Sequence, residues 1–234
     1  MSTEILFMRH GPGTHLKPPH HDRVAGRAAY ADLDEAGFAK ARQSGQGLEA
    51  RGYRPERAFS SPSTRAIHTA ETVLGELTLP GQIELVQDPR LHEQCLGGSE
   101  GRKRADVHTS RMIQRYAIEG ANLRHPGVNA EGIPAETLNE VIARELAFIA
   151  SLRGEPEPPE TVFVVGHHTA IKGLVAAIEL GMSHETAAVD PQILNQGMLD
   201  VAAIDTCSTT FIVADGQPDN LRLNVEYVGR VVAA

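Results

Sequence analysis

The sequence has only two cysteines, Cys95 and Cys207, among 234 residues. They lie far apart and form no C-x-x-C pair, which argues against a zinc or dithiol redox site. Nor is a disulfide needed, because a chain of this length buries roughly 70–75% of the surface its unfolded form exposes. No stretch approaches the roughly 18 apolar residues of a membrane span. The opening MSTEILFMRH has no basic segment followed by an apolar run, so no secretory signal is expected, and the expected location is cytoplasmic. Positive charge is not in excess either. The formal net charge of −8 argues against a nucleic-acid partner, because phosphate backbones call for a basic face. A small anionic ligand is compatible with that balance, since a local cluster of Arg and His focuses its own field. There is no internal repeat and no low-complexity tract.

What is present is an alternation of strand and helix patterns. Residues Glu4 to Arg9 read as a buried strand, with Ile5, Leu6, Phe7 and Met8 as its apolar run. A loop rich in Pro, His and Gly follows from Gly11 to about Ala31. Asp34 is placed to cap a helix over Glu35 to Ala50. Arg57 to Ser60 is a second strand, and Ser61-Pro62 reads as the cap and first residue of the next helix. Ile83 to Val86 is a third strand. From Gly97 to about Ile133 the periodicity fades, and this segment reads as an insertion over the sheet within a single domain spanning 1–234. Leu138, Val141, Ile142, Leu146, Ile149 and Leu152 mark one face of a helix that the prolines of Gly154 to Glu160 break. Thr161 to Val165 is the most strand-like run, with a helix from about Thr169. Ala203 to Ala214 and Leu221 to Val228 close the chain around Asp215-Gly216. The pattern predicts an α/β three-layer sandwich: a mainly parallel sheet with helices on both faces. Ligands of such sheets sit outside the carboxyl ends of the strands.

Four segments place charged or nucleophilic side chains just past predicted strand ends. They are Arg9-His10-Gly11, Ser60 through Arg65, Leu91-His92-Glu93 leading to Glu100-Gly101, and Val164-Val165-Gly166-His167. If the fold reading holds, two of their histidines and two arginines converge with one carboxylate. That set suits phosphoryl transfer. A phosphate monoester carries about −1.5 to −2 charges, and its transferring group asks mainly for positioning and electrostatic stabilisation. Arginine supplies a planar fork of donors that stays charged. A neutral imidazole becomes a nucleophile when its other nitrogen donates to a fixed acceptor. A carboxylic acid protonates the leaving oxygen and then serves as base toward water.

In these segments the chain resembles the histidine phosphatase superfamily, in its phosphoglycerate-mutase-like branch. Arg9-His10-Gly11 matches R-H-G. Leu33 through Gly37 is similar to the L-T-x-x-G helix start, and Ser60 through Glu71 looks like S-x-L-x-R-A-x-Q-T-A-E. Leu91-His92-Glu93 with Gly97 and Glu100-Gly101 resembles L-x-E-x-x-x-G-x-x-E-G. Val164 through His167 looks like V-V-S-H. The resemblance implies that His10 is the nucleophile, that Glu93 is the proton donor, and that Arg9, Arg65 and His167 hold phosphate oxygens. It also implies chemistry without a metal or a bound cofactor. The chain departs from the pattern at Pro12, Gly13 and Thr14, where the phosphate contacts of the loop fall to Thr14 and His15. It departs again at His68, Gly166 and His168. The acid-phosphatase branch has an Asp at the position of His168, and its absence here points to Glu93 as the acid. His168 is expected at the pocket wall.

The expected activity is hydrolysis of a small-molecule phosphate monoester through a phosphohistidine. A mutase-type isomerase and a non-catalytic phosphate-binding module are the alternatives. The composition leaves a homodimer open. His15, His20, His21 and Asp22 read as a solvated loop rather than a metal site. Arg102, Lys103, Arg104, Arg111, Arg115 and Arg124 read either as a solvated face or as a lid for a second anionic group of the substrate. Glu136 reads as orienting Arg65 or a substrate group, or as part of a helix cap.

Overall fold

The computed structural model of the chain describes residues 2–27, 31–182, 196–198 and 200–232. Its strands are β1 (Thr3–Arg9), β2 (Arg57–Ser60), β3 (Leu85–Gln87), β4 (Thr161–Gly166), β5 (Ser208–Asp215) and β6 (Arg222–Val231). The principal helices are α1 (Glu35–Ala50), α2 (Thr64–Leu74), α3 (Arg104–Val107), α4 (Ser110–Glu119), α5 (Leu138–Arg153) and α6 (His168–Glu179).

The apolar run of β1 is continuous because both of its faces are covered. Ile5 and Phe7 join Ile142, Leu146 and Ile149 of α5 and Ile171, Leu174 and Val175 of α6 in one core. Leu6 and Met8 turn the other way, onto Ala41 and Leu48 of α1 and Ala66, Ala70 and Val73 of α2. Helices therefore lie on both faces of the sheet, as the sequence predicts. The strand order is β3-β2-β4-β1-β5-β6. The pairs β3/β2, β2/β4 and β4/β1 are parallel, and β1/β5 and β5/β6 are antiparallel. The sheet is thus mixed but mostly parallel, with only β5 running against the rest.

Register brings the site together. Arg9 pairs with Gly166, and Ser60 with Val165. Three neighbouring parallel strands therefore end level with one another. His10 N–H continues the ladder onto Gly166 O at 3.0 Å, and Ser61 N–H onto Val165 O at 2.9 Å. Helix α1 closes against the loop that follows β1: a Cβ on Gly37 would stand 2.1 Å from the Pro12 carbonyl oxygen. Only glycine admits so close a backbone approach.

Several boundaries differ from the sequence expectation. The N-cap position of α2 falls at Ser63 rather than Ser61, with no side-chain cap bond, and the helix starts at Thr64. The Ser61 hydroxyl is engaged instead with His167. β3 lies at Leu85–Gln87, later than Ile83 to Val86. β5 starts only at Ser208, after Cys207 takes the left-handed φ of 55° that turns the chain into the strand. Asp34 does cap α1, accepting the Gly37 N–H at 2.8 Å. Thr137 and Glu140 close a capping box on α5. Residues 97–133 carry α3 and α4. Helix α4 buries none of its residues, which accounts for the faint periodicity there. Among the described residues no helix is long and apolar enough to cross a membrane.

Candidate active site

A cleft of about 240 Å³ opens at the level ends of β1, β2 and β4. His10 lies at its base and is buried. Its Nδ1–H donates to the Gly11 carbonyl at 2.7 Å. That bond assigns the proton to Nδ1 and leaves the Nε2 lone pair free to accept. Arg65 Nε reaches this nitrogen at 3.3 Å. Burial, then the charges of Arg65 and Arg9, hold the His10 pKa well below its ordinary value, so the ring is neutral at physiological pH.

Arg65 is 2% exposed, a depth at which a guanidinium needs partners. Its Nη2 donates to Gly26 O and to His167 Nδ1, both at 3.2 Å. His167 is the N-cap residue of α6 and is completely buried. Since its Nδ1 accepts from Arg65, its Nε2 carries the proton and donates to Ser61 Oγ at 2.8 Å. Burial and the Arg65 charge keep this ring neutral too. The His10 and His167 ring centroids are 5.1 Å apart. Arg9 lines the same cleft and fixes one end of its fork on Ile204 O at 2.6 Å.

Glu93 stands across the cleft. Its Oε1 accepts Gln94 N–H at 2.9 Å and Ala170 N–H at 3.2 Å, and its Oε2 accepts Thr169 N–H at 3.1 Å. Two of these amides are first-turn donors of α6, which carry the positive end of the helix dipole. His168, the first residue of α6, lines the cleft beside them.

Residues 14–16 form a single 3-10 turn. It sends His15 inward, edge-on to His10 with centroids 5.6 Å apart. Burial and the charges of Arg65, Arg9 and Arg104 lower the His15 pKa to about 4. The same turn sends Thr14 outward, away from the side chains that line the cleft. Thr14 is exposed, and its hydroxyl exchanges long contacts of 3.4–3.5 Å with the backbone of Asp32. His10, His15, Arg9, Arg65, Glu93 and His168 thus share one cleft, with His167 directly behind Arg65.

The structure adds roles that the sequence did not point out. Ser61 orients His167. Arg27 and Arg144 both reach the backbone of Glu93. Glu136 pairs with Arg27 and Arg144. In the basic stretch, Arg104 lines the cleft, whereas Arg115 pairs with Glu119 and Arg124 with Glu140. Among the described residues no group of three or more His, Cys, Asp or Glu side chains is arranged to hold a metal ion.

Residues 5–201 match the model of the histidine phosphatase superfamily (branch 1), and the chain belongs to that family of enzymes. Among its curated relatives is a 2,3-bisphosphoglycerate-dependent phosphoglycerate mutase of Beijerinckia indica subsp. indica. It is 28% identical over 156 residues, covering 66% of this chain and 72% of the relative. Among solved structures, the mycobacterial glucosyl-3-phosphoglycerate phosphatase superposes with a TM-score of 0.73 at 21% identity, covering 98% of this chain and 99% of the other. A putative alpha-ribazole-5'-P phosphatase from Escherichia coli str. K-12 substr. MG1655 gives 0.69 at 20% identity, covering 99% and 98%. At these identities the solved structures establish the fold.

Proposed function

We propose that the chain is a phosphomonoester hydrolase that works through a phosphohistidine at His10. The observation that carries this reading is the Nδ1–H bond to Gly11 O, which leaves Nε2 unprotonated beside the Arg65 guanidinium. In the first step Nε2 forms a bond to phosphorus while the phosphorus–oxygen bond of the ester breaks, and the Glu93 carboxyl gives its proton to the departing alkoxide. Arg9 and Arg65 take up the charge on the equatorial oxygens, and His167 joins them once Arg65 leaves its Nδ1, through the tautomer in which Nδ1 carries the proton and Nε2 accepts from the Ser61 hydroxyl. In the second step the Glu93 carboxylate accepts a proton from water. The water oxygen bonds to phosphorus, the phosphorus–nitrogen bond breaks, and neutral His10 returns with inorganic phosphate.

The remainder of the cleft suits a small alcohol half. Leu16, Val24 and Leu96 line it, and Arg104 and His108 stand among them. This wall fits a short substrate bearing a second anionic group that Arg104 would meet. The mutase relatives favour a second reading, in which the phosphoryl group returns to an acid substrate instead of water. Release of inorganic phosphate against formation of an isomer separates the two. The test of the covalent scheme is acid-quench labelling with a phosphorus-labelled ester. The expected result is an acid-labile, base-stable adduct that His10→Ala abolishes together with turnover. Turnover by His10→Ala, or turnover without any adduct, would defeat the scheme.

A further inference from the structure

Glu93 is held from behind as well as from the cleft. Its carbonyl oxygen accepts Arg27 Nε at 3.0 Å and Arg144 Nη2 at 3.2 Å. Arg144 also donates to the carbonyls of Arg90 and His92, the latter at 2.6 Å. Two guanidiniums directed at one short segment would repel each other without an anion between them. Glu136 is that anion. Its Oε1 accepts Arg27 Nη2 at 2.7 Å and Arg144 Nε at 3.1 Å, and its Oε2 accepts Arg144 Nη2 at 3.3 Å and Cys95 N–H at 3.0 Å. Its backbone N–H bonds Cys95 O, and its carbonyl accepts Gln94 Nε2. The three side chains are only 13–18% exposed, so water screens the arrangement weakly. Arg27 also adjoins Gly26, the carbonyl acceptor for Arg65.

We propose that Glu136 is a positioning residue for the proton donor: by pairing Arg27 with Arg144 it fixes the backbone of residues 92–95 and thereby aims the Glu93 carboxyl at the leaving oxygen. The proposal rests on the hydrolase reading given above. It has a signature that a general packing role lacks. Misdirecting a proton donor matters in proportion to how badly the leaving group needs the proton. An alkoxide needs it, and a p-nitrophenolate barely does. A displacement of about 1 Å at such a group costs up to about a hundredfold.

The experiment compares kcat/KM for an alkyl phosphate and for p-nitrophenyl phosphate in wild type, Glu136→Gln, Glu93→Gln and the double variant. Glu136→Gln should lose roughly 10- to 100-fold on the alkyl ester and less than about threefold on the aryl ester. The double variant should be no worse than Glu93→Gln alone, because the two act as one unit. Arg27→Lys keeps the charge but loses the fork, and it should show the same leaving-group trend if Glu136→Gln folds poorly. A leaving-group trend in Glu93→Gln with none in Glu136→Gln and Arg27→Lys overturns this proposal alone, as does a fully additive double variant. Absence of any phosphate release by wild type, or of a leaving-group trend in Glu93→Gln, defeats the hydrolase or acid assignment and this proposal with it.

Discussion

Glu145 offers the sharpest quantitative test of the architecture. It sits on the apolar face of α5 with no exposure, and neither carboxyl oxygen has a hydrogen-bond partner among the described residues. Burial raises its pKa from the ordinary 4.5 to about 8; Arg144 opposes the shift and Glu93 adds to it. The folded protein therefore keeps a proton that the unfolded chain releases above pH 4.5. Where the folded state binds more protons, stability falls as pH rises. The loss should begin near pH 4.5, grow through neutrality and level off above pH 8. At 1.36 kcal/mol per decade, the gap from 4.5 to about 8 corresponds to about 5 kcal/mol at its limit. That is a large part of the roughly 5–15 kcal/mol that holds a domain together. Replacing Glu145 with Gln keeps the shape and removes the titration. The assay is urea unfolding of both proteins at pH 5 and pH 8. From one pH to the other the variant should gain about 3–4 kcal/mol relative to wild type. The unpaired amide of the variant adds only a pH-independent offset. Histidine titrations are common to both proteins and cancel in the difference. Parallel stability curves would mean that Glu145 is ionised in the fold, and the reasoning from burial would fail.

The remaining predictions are simpler. His15 and His92 have pKa values lowered to about 4, and His10 and His167 are also held well below the ordinary 6.5. Depressed histidines leave stability intact above pH 6.5 and remove it as pH falls toward 4, so the wild-type denaturation midpoint should drop steeply over that window; a flat midpoint would contradict the buried neutral rings. Arg104→Gln should raise KM roughly tenfold for a substrate with a second anionic group and leave p-nitrophenyl phosphate nearly unaffected. Steady-state kinetics on the two esters decide it.

The strand ends and the motifs on them were legible because their signals are local. An apolar run closed by Arg9-His10-Gly11, or by Gly166-His167, states both where a strand stops and what chemistry stands there. His15 and Thr14 were harder: which of two adjacent side chains faces the cleft depends on a single 3-10 turn that the Pro- and His-rich loop does not announce. The support beneath Glu93 was barely legible: Glu136 stood out in the sequence, but as orienting Arg65 or a substrate group or capping a helix, not as pairing two arginines. Arg27, Glu136 and Arg144 come from separate segments, and their pairing leaves no period in the sequence. Arg144 read singly is a solvated helix residue. Glu145 did leave a trace: it stands four residues after Val141 and four before Ile149, both buried in the same helix. A carboxylate at core spacing is rare unless something unusual surrounds it.

Arg65 rests on the Nε2 lone pair that attacks phosphorus in the proposed scheme, and the same fork leans on His167. An arriving phosphate must therefore swap places with a nitrogen: the guanidinium lets go of two imidazoles and turns to anionic oxygens. Under that scheme the lone pair is covered at rest and laid bare only as an anion takes over the guanidinium.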